Sequence, residues 1–114
     1  MKPIIETTSG SSNISNDLSM TGVSTADTWE LDEVCLHLSA VATAANNFVV
    51  RKRSHFGSAF DVVILTQAMN GVSDVVWQPD RPIKMNGKDR LVSTWTNDAG
   101  ADAKTYGLQI NYKA

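Results

Sequence analysis

Glutamate, cysteine and histidine alternate at three neighbouring odd-numbered positions, which could gather reactive side chains. Side chains repeat every two residues along a β-strand, so Glu33, Cys35 and His37 are expected to share one face. A thiol–imidazole pair or a metal site is the chemistry that such a set would serve. A zinc site needs a fourth ligand, and His55, the other histidine, has no ligand pair near it. We therefore expect the outer or interface face of a strand, with no metal, no cofactor and no catalytic residue.

Other catalytic signatures are missing from the sequence. It contains no Gly-x-Ser-x-Gly elbow, and its glycines form no phosphate-binding loop. The segment 97–102, Asn-Asp-Ala-Gly-Ala-Asp, lacks the spacing and the terminal glutamate of a calcium-binding EF-hand, which favours a hairpin loop. The sequence thus predicts a protein that is not an enzyme.

One basic run, Arg51-Lys52-Arg53, could contact nucleic acid or an acidic partner. Alternating strand residues cannot all face one way, so a solvated strand end is the simpler interpretation. The chain carries ten Lys and Arg against twelve Asp and Glu, a net charge of −2. A general nucleic-acid binder normally has a strong basic excess, so no nucleic-acid partner is expected.

Five aromatic residues suggest a different class of function, a sugar-stacking platform on a carbohydrate-binding β-sandwich. They lie mostly at alternating positions among Val, Leu and Ile, where core packing is the more economical explanation. These residues are Trp29, Trp77, Trp95, Tyr106 and Tyr112.

Length and composition limit the class of protein. The 114 residues correspond to one domain, and the single cysteine excludes an intramolecular disulfide. No apolar run approaches the roughly 20 residues of a membrane span, and the first residues do not form a signal peptide. We expect a small protein of a reducing compartment without a membrane partner.

Composition changes near residue 28. Residues 1–28 are rich in Ser and Thr and show no sustained periodicity, which predicts a polar, extended N-terminal arm. The arm could be a disordered tail, or it could become ordered against a neighbour. In the second case its apolar residues would be the partner-binding anchors: Ile4, Ile5, Ile14, Leu18 and Met20.

Residues 29–114 show short strands separated by turns, which predicts an antiparallel β-sandwich or jelly roll of about seven to eight strands. An OB-like barrel ranks second. A bulge is expected near Asp32, and the apolar run 60–67 is expected to be a central strand. Asn86-Gly87 predicts a hairpin through a type I′ turn. Strands are expected at 29–38, 48–53, 60–67, 74–77, 83–85, 89–96 and 105–112.

Three segments resemble small structural proteins of tailed bacteriophages. They are Val-Val-Trp-Gln-Pro-Asp-Arg-Pro-Ile from residue 75, Asn-Gly-Lys-Asp-Arg-Leu-Val-Ser-Thr-Trp-Thr-Asn from residue 86 and Lys-Thr-Tyr-Gly-Leu-Gln-Ile-Asn-Tyr-Lys from residue 104. Residues 29–39 fit the first strand of those proteins, so the resemblance covers residues 29–114. It implies a closed β-sandwich and no catalytic residues.

The resemblance implies a capsid decoration or cement protein that binds and stabilises the phage head. Its partners would be the major capsid protein or other virion proteins, and a homo-oligomer is expected. The protein would be made in the host cytoplasm and located on the capsid surface. A neck, tail or fibre component, or a carbohydrate-binding β-sandwich module, is the alternative.

Overall fold

The computed structural model describes residues 2–19 and 28–114, and these residues form two packed antiparallel sheets. Sheet I has the order β1-β9-β3-β6, with β7 also paired to β3, and sheet II has the order β2-β8-β4-β5. The expected all-β sandwich is therefore confirmed. In the described ranges no helix is long and apolar enough to cross a membrane. The strands are β1 (Pro3–Gly10), β2 (Ile14–Ser19), β3 (Thr28–Leu38), β4 (Asn47–Arg53), β5 (Val62–Ala68), β6 (Asp74–Trp77), β7 (Ile83–Asn86), β8 (Arg90–Trp95) and β9 (Tyr106–Lys113).

Alternation along the central strands builds the core between the sheets. In β9, buried and more exposed residues alternate from Tyr106 to Tyr112, because successive side chains point to opposite faces. The register of β3 against β9 shifts between Leu31 and Glu33, so the bulge expected near Asp32 is confirmed. This shift keeps both Leu31 and Val34 in the core.

The aromatic residues pack in this core rather than on a platform. Trp29 meets Tyr112 edge-to-face at 5.3 Å between ring centroids, and its Nε1 donates to the Asn86 carbonyl at 3.0 Å. Trp95 and Tyr106 are also buried, and Trp77 is half-buried against the core. The core-packing interpretation is therefore the correct one.

The apolar run at residues 60–67 does not form a central strand, which corrects the expectation. β5 pairs with β4 alone and is an edge of sheet II. Val62 and Val63 are exposed there, and only the middle of the strand turns inward. An apolar run indicates a strand, but its position in the sheet depends on which strands pair beside it.

The connection around Asn86-Gly87 is not a hairpin, so this prediction is also wrong. β7 belongs to sheet I and β8 to sheet II, so residues 87–89 cross from one sheet to the other. Gly87 is not among the glycines with positive φ, which a type I′ turn would require. Instead, the Asp89 N–H donates to the Asn86 carbonyl at 2.9 Å, and Asp89 accepts the Asn86 N–H at 3.0 Å.

Residues 3–10 and 14–19 of the N-terminal segment are strands of the sandwich, so the predicted division into an arm (1–28) and a sandwich (29–114) does not hold for them. β1 pairs with β9 over eight residues, and β2 pairs with β8 over six. Backbone hydrogen bonds hold these polar strands, so they need little apolar surface of their own. Each strand completes one sheet, and the composition of the segment does not reveal that pairing.

Asn97 fastens the β1–β2 connection to the rest of the fold. Its side-chain nitrogen donates to the carbonyls of Ser12 at 3.0 Å and Lys104 at 2.7 Å. Its backbone N–H donates to Asn13 Oδ1 at 2.9 Å. One amide side chain therefore joins residues that are more than eighty positions apart.

Candidate functional site

The outer face of sheet I brings together the set Glu33, Cys35 and His37, as the strand period predicts. Glu33 is the central acceptor of a polar network on this face. Its Oε1 accepts from Cys35 Sγ at 3.0 Å and from Asn111 Nδ2 at 3.1 Å, and its Oε2 accepts from Gln78. The hydrogen bond from Cys35 and then that from Gln78 lower the pKa of Glu33.

The Cys35 thiol is held in its protonated form. Burial and the neighbouring Glu33 carboxylate raise the pKa of Cys35 to about 11. The thiolate is the form that attacks electrophiles and binds metals, so this cysteine is a poor nucleophile near neutral pH. The proximity of Cys35 and His37 in sequence does not produce a thiol–imidazole pair, because His37 binds Asp74 instead.

A shallow depression of about 440 Å³ lies beside this pair, at the glycine in β9. In the strand register, Ser9, Gly107, His37 and Asp74 form one row across four strands. The row has the residue types of a hydrolytic triad. However, in the described part of the chain no hydrogen bond links Ser9 to His37. The central strand β9 is paired on both sides, so its backbone offers no oxyanion hole at this point.

In the loop after β8, the Asp98 carboxylate binds groups of the β3–β4 connection and Lys104, and we call these contacts the Asp98 bracket. Asp98 accepts the N–H groups of Thr43 at 2.9 Å and Ala44 at 3.0 Å, and its Oδ2 lies 3.3 Å from Lys104 Nζ. These donors, the two N–H groups above all, lower the pKa of Asp98 to about 2. The loop joins the two sheets, so it is not the expected hairpin.

The basic run divides between the two faces of β4. Lys52 pairs with buried Leu91, and its Nζ lies 3.7 Å from the buried Asp89 carboxylate. Arg51 and Arg53 have the opposite parity and face outward. The expectation that the run cannot form a single basic surface is confirmed.

Asp89 organises the end of the sandwich where this run stops. Its Oδ1 accepts the His55 N–H at 3.1 Å and lies 2.8 Å from His55 Nδ1. Burial raises the pKa of Asp89, but the bonds from His55 and Asn86 and the charge of Lys52 outweigh it, and the pKa is lowered. Asp89 therefore fixes the orientation of the His55 loop as a carboxylate.

The most distinctive surface feature is a set of exposed apolar side chains just before and at the start of β5, where Val62 and Val63 point to opposite faces of the sheet. We call it the edge patch: Phe56, Phe60, Val62 and Val63, with 75%, 64%, 52% and 47% of their surface exposed. The two phenylalanine rings meet edge-to-face at 6.4 Å. Sequence reasoning missed this surface because the same apolar run is also typical of a central strand.

The predicted anchors of the arm lie in several environments. Ile14 is buried in the core, and Ile4 and Leu18 are half-buried against it, so these three stabilise their own chain. Ile5 is exposed on the outer face of sheet I. Met20 lies outside the described residues. Ile14 is therefore not at the surface of the folded chain, Ile5 is, and the role of these residues as partner anchors stays a prediction.

Comparison with known proteins does not identify a family for this chain. The sequence matches no family model and no curated protein.

Proposed function

We propose that the protein is a non-enzymatic structural component of a virus particle, specifically a capsid decoration or cement protein of a tailed bacteriophage. One observation carries the proposal: β5, a strand without charged residues, lies at a sheet edge with its first two residues, Val62 and Val63, exposed. Natural edge strands usually carry charges, prolines or bulges that discourage pairing. β5 carries no charged residue and no proline, although its register against β4 shifts between Val50 and Arg51. An open edge of this kind is typical of proteins that bind another protein at that edge when they assemble.

The resemblance of residues 29–114 to small phage structural proteins supports the choice of partner. The partner would be the major capsid protein or another virion protein. Burial of the four side chains of the edge patch contributes on the order of 5 kcal/mol before ordering costs. That is a weak single contact, but many copies, self-associated as a homo-oligomer or bound side by side, would reinforce it.

A neck, tail or fibre component is the nearest alternative, because the same edge patch could bind there. Copy number distinguishes the two positions. A copy number comparable with that of the shell protein indicates the capsid surface, and a much smaller number indicates the neck or tail. Quantitative mass spectrometry of purified particles measures this ratio.

A carbohydrate-binding module is the second candidate, favoured by the amide and carboxylate groups around Glu33 beside the depression on sheet I. Such groups bind sugar hydroxyls. The tryptophans that would stack on a sugar ring are buried or packed against the core instead. Glycan-array binding without affinity for particles would favour this candidate over the first.

The attachment test compares two exposed valines. We expect Val63→Lys to remove most copies from purified particles, because a charge would enter the apolar contact. Val76→Lys is the matched control, since Val76 is an exposed strand valine on the opposite sheet. Equal occupancy of the two variants would exclude the edge patch as the attachment surface. Absence of the wild-type protein from particles would overturn the proposed function.

A further inference from the structure

Two arginines stand directly opposite each other at the end of sheet II. Arg53 on β4 and Arg90 on β8 are register partners, and both side chains face outward. Like charges in this position destabilise a strand pair. A structure that keeps them needs a compensating negative charge.

The chain supplies only part of that compensation. Asp17 binds Arg90 through two bonds of 2.9 and 2.6 Å, whereas Asp61 lies 3.7 Å from Arg53 Nε. Lys88 lines the same cleft and has no carboxylate partner within the part of the chain that the structure describes. Three cationic groups thus face two carboxylates, which leaves one positive charge unbalanced.

The cleft between these groups has the size and the donors of a small binding site. Its volume is about 320 Å³, and the hydroxyls of Ser54 and Ser58 and the ring of His55 line it with the cationic side chains. The Nδ1 side of the His55 ring faces Asp89. Its Nε2 has no hydrogen-bond partner among the described residues, so it remains available to a ligand.

We propose that this cleft binds one oxyanion, a carboxylate from an acidic side chain of the partner protein. One unbalanced charge suits a single carboxylate. A nucleic-acid backbone is disfavoured, since the cleft contains Asp61 and the chain is negative overall. The edge patch adjoins the cleft, because the His55 and Phe56 rings lie 4.0 Å apart. The partner segment would therefore place an acidic residue beside apolar ones.

The identity of the partner rests on the proposed function, whereas the oxyanion site rests on the cleft alone. The direct test is a titration of the full chain with succinate at constant ionic strength, followed by amide NMR. We expect saturable shifts at Ser54, Ser58 and Lys88. Loss of one charge-assisted hydrogen bond weakens binding by about ten-fold, so Lys88→Gln should bind succinate about ten-fold less tightly. Lys84→Gln, an exposed lysine on β7 of the other sheet, is the control and should bind as the wild type does.

Arg53→Gln separates a ligand site from an accidental charge cluster. This variant relieves the repulsion with Arg90, so it should be at least as stable as the wild type without ligand. Succinate should raise the melting temperature of the wild type more than that of Arg53→Gln, because the variant loses one cationic group of the cleft. An equal increase in both proteins would overturn the site.

The same titration is repeated with phosphate and with a short single-stranded DNA in place of succinate. Tighter binding of DNA than of succinate would overturn the carboxylate assignment, and equal shifts with sodium chloride would overturn the site altogether. If succinate binds but the protein is absent from particles, the proposed function alone fails. If Val63→Lys abolishes attachment but succinate does not bind, the cleft proposal alone fails.

Discussion

Two buried tryptophans differ in whether the indole N–H has a hydrogen-bond partner. Trp29 Nε1 has a carbonyl partner, whereas Trp95 Nε1 is buried without a partner in the described structure. A lost hydrogen bond in a core typically costs about 1 kcal/mol, and an unsatisfied buried donor costs about 1–3 kcal/mol. The residue type is the same, yet the polar atom stabilises one site and destabilises the other.

We therefore expect Trp29→Phe to lower the free energy of unfolding by about 2 kcal/mol more than Trp95→Phe does. The first variant loses a bond, and the second removes an unsatisfied donor while losing the same volume. Urea unfolding followed by circular dichroism measures both values. Equal losses would mean that Trp95 Nε1 has a partner in solution.

The Asp98 bracket makes stability depend on pH. Its folded pKa is about 2, below the value of about 3.9 expected in the unfolded chain. The unfolded state therefore binds its proton first as pH falls. The stabilisation by Asp98 is fully present above about pH 4 and is lost as the pH falls towards about 2.

We expect Asp98→Asn to be less stable at neutral pH and to lose less stability between about pH 4 and 2 than the wild type does. Unfolding curves at several pH values test this. Asp102→Asn, in the same loop but exposed, is the control and should retain the wild-type profile. An identical profile for both variants would contradict the bracket.

At the scale of the element, the first two strands show how pairing overrides composition. β1 alternates exposed and half-buried residues, and its sequence has too few apolar residues to predict a strand. Its pairing with β9 spans the whole strand. The alternation in β9 and the bulge in β3 were predictable because local periodicity determines them, whereas the partner of a polar strand depends on distant residues.

The same reason explains the other errors. Apolar residues in β5 indicate a strand correctly, but its position at the edge depends on which strands pair around it. The Asn86-Gly87 sequence predicts a turn correctly, but the turn lies in a connection between sheets, where buried Asp89 accepts the N–H groups of Asn86 and His55. For the candidate site, the shared face of Glu33, Cys35 and His37 was predictable. The edge patch and the arginine pair could not be predicted, because both depend on which strands pair and in which register.

Two isoleucines test whether the N-terminal segment is part of the core. We expect Ile14→Ala to lower the free energy of unfolding by about 2–5 kcal/mol, as for a buried aliphatic residue. Ile5→Ala, at an exposed position on β1 in the other sheet, should stay within about 0.5 kcal/mol of the wild type. Denaturant unfolding gives both values. Similar small losses would restore the view that residues 1–28 form a separate arm.

At the scale of the whole molecule, the two sheets present different outer surfaces. Sheet I carries the polar network around Glu33, and sheet II carries the arginine pair with the edge patch beside it. If attachment uses sheet II, the protein is oriented with sheet I towards the solvent. Binding to a particle should therefore slow the exchange of amide hydrogens on the sheet II side and leave the sheet I side unchanged.

Hydrogen exchange can measure this orientation. We expect the amides of residues 54–68 to exchange more slowly in the particle-bound protein than in the free protein, because the proposed attachment would cover β5 and its preceding loop. Amides of β6, in sheet I, should exchange at the same rate in both states. Slower exchange in β6 with no change at 54–68 would place the attachment surface on the opposite sheet.

The pairing of β1 with β9 continues to the last residues of the described chain. The Lys2 N–H donates to the Ala114 carbonyl at 2.8 Å, and the Ala114 N–H donates to the Lys2 carbonyl at 3.0 Å. A short peptide linker that joins Lys2 to Ala114 would therefore close the backbone of residues 2–114 into a ring with little distortion. Cyclisation would reduce the entropy of the unfolded chain and prevent fraying of the outermost strand. The same geometry makes this sandwich a suitable scaffold for circular permutation.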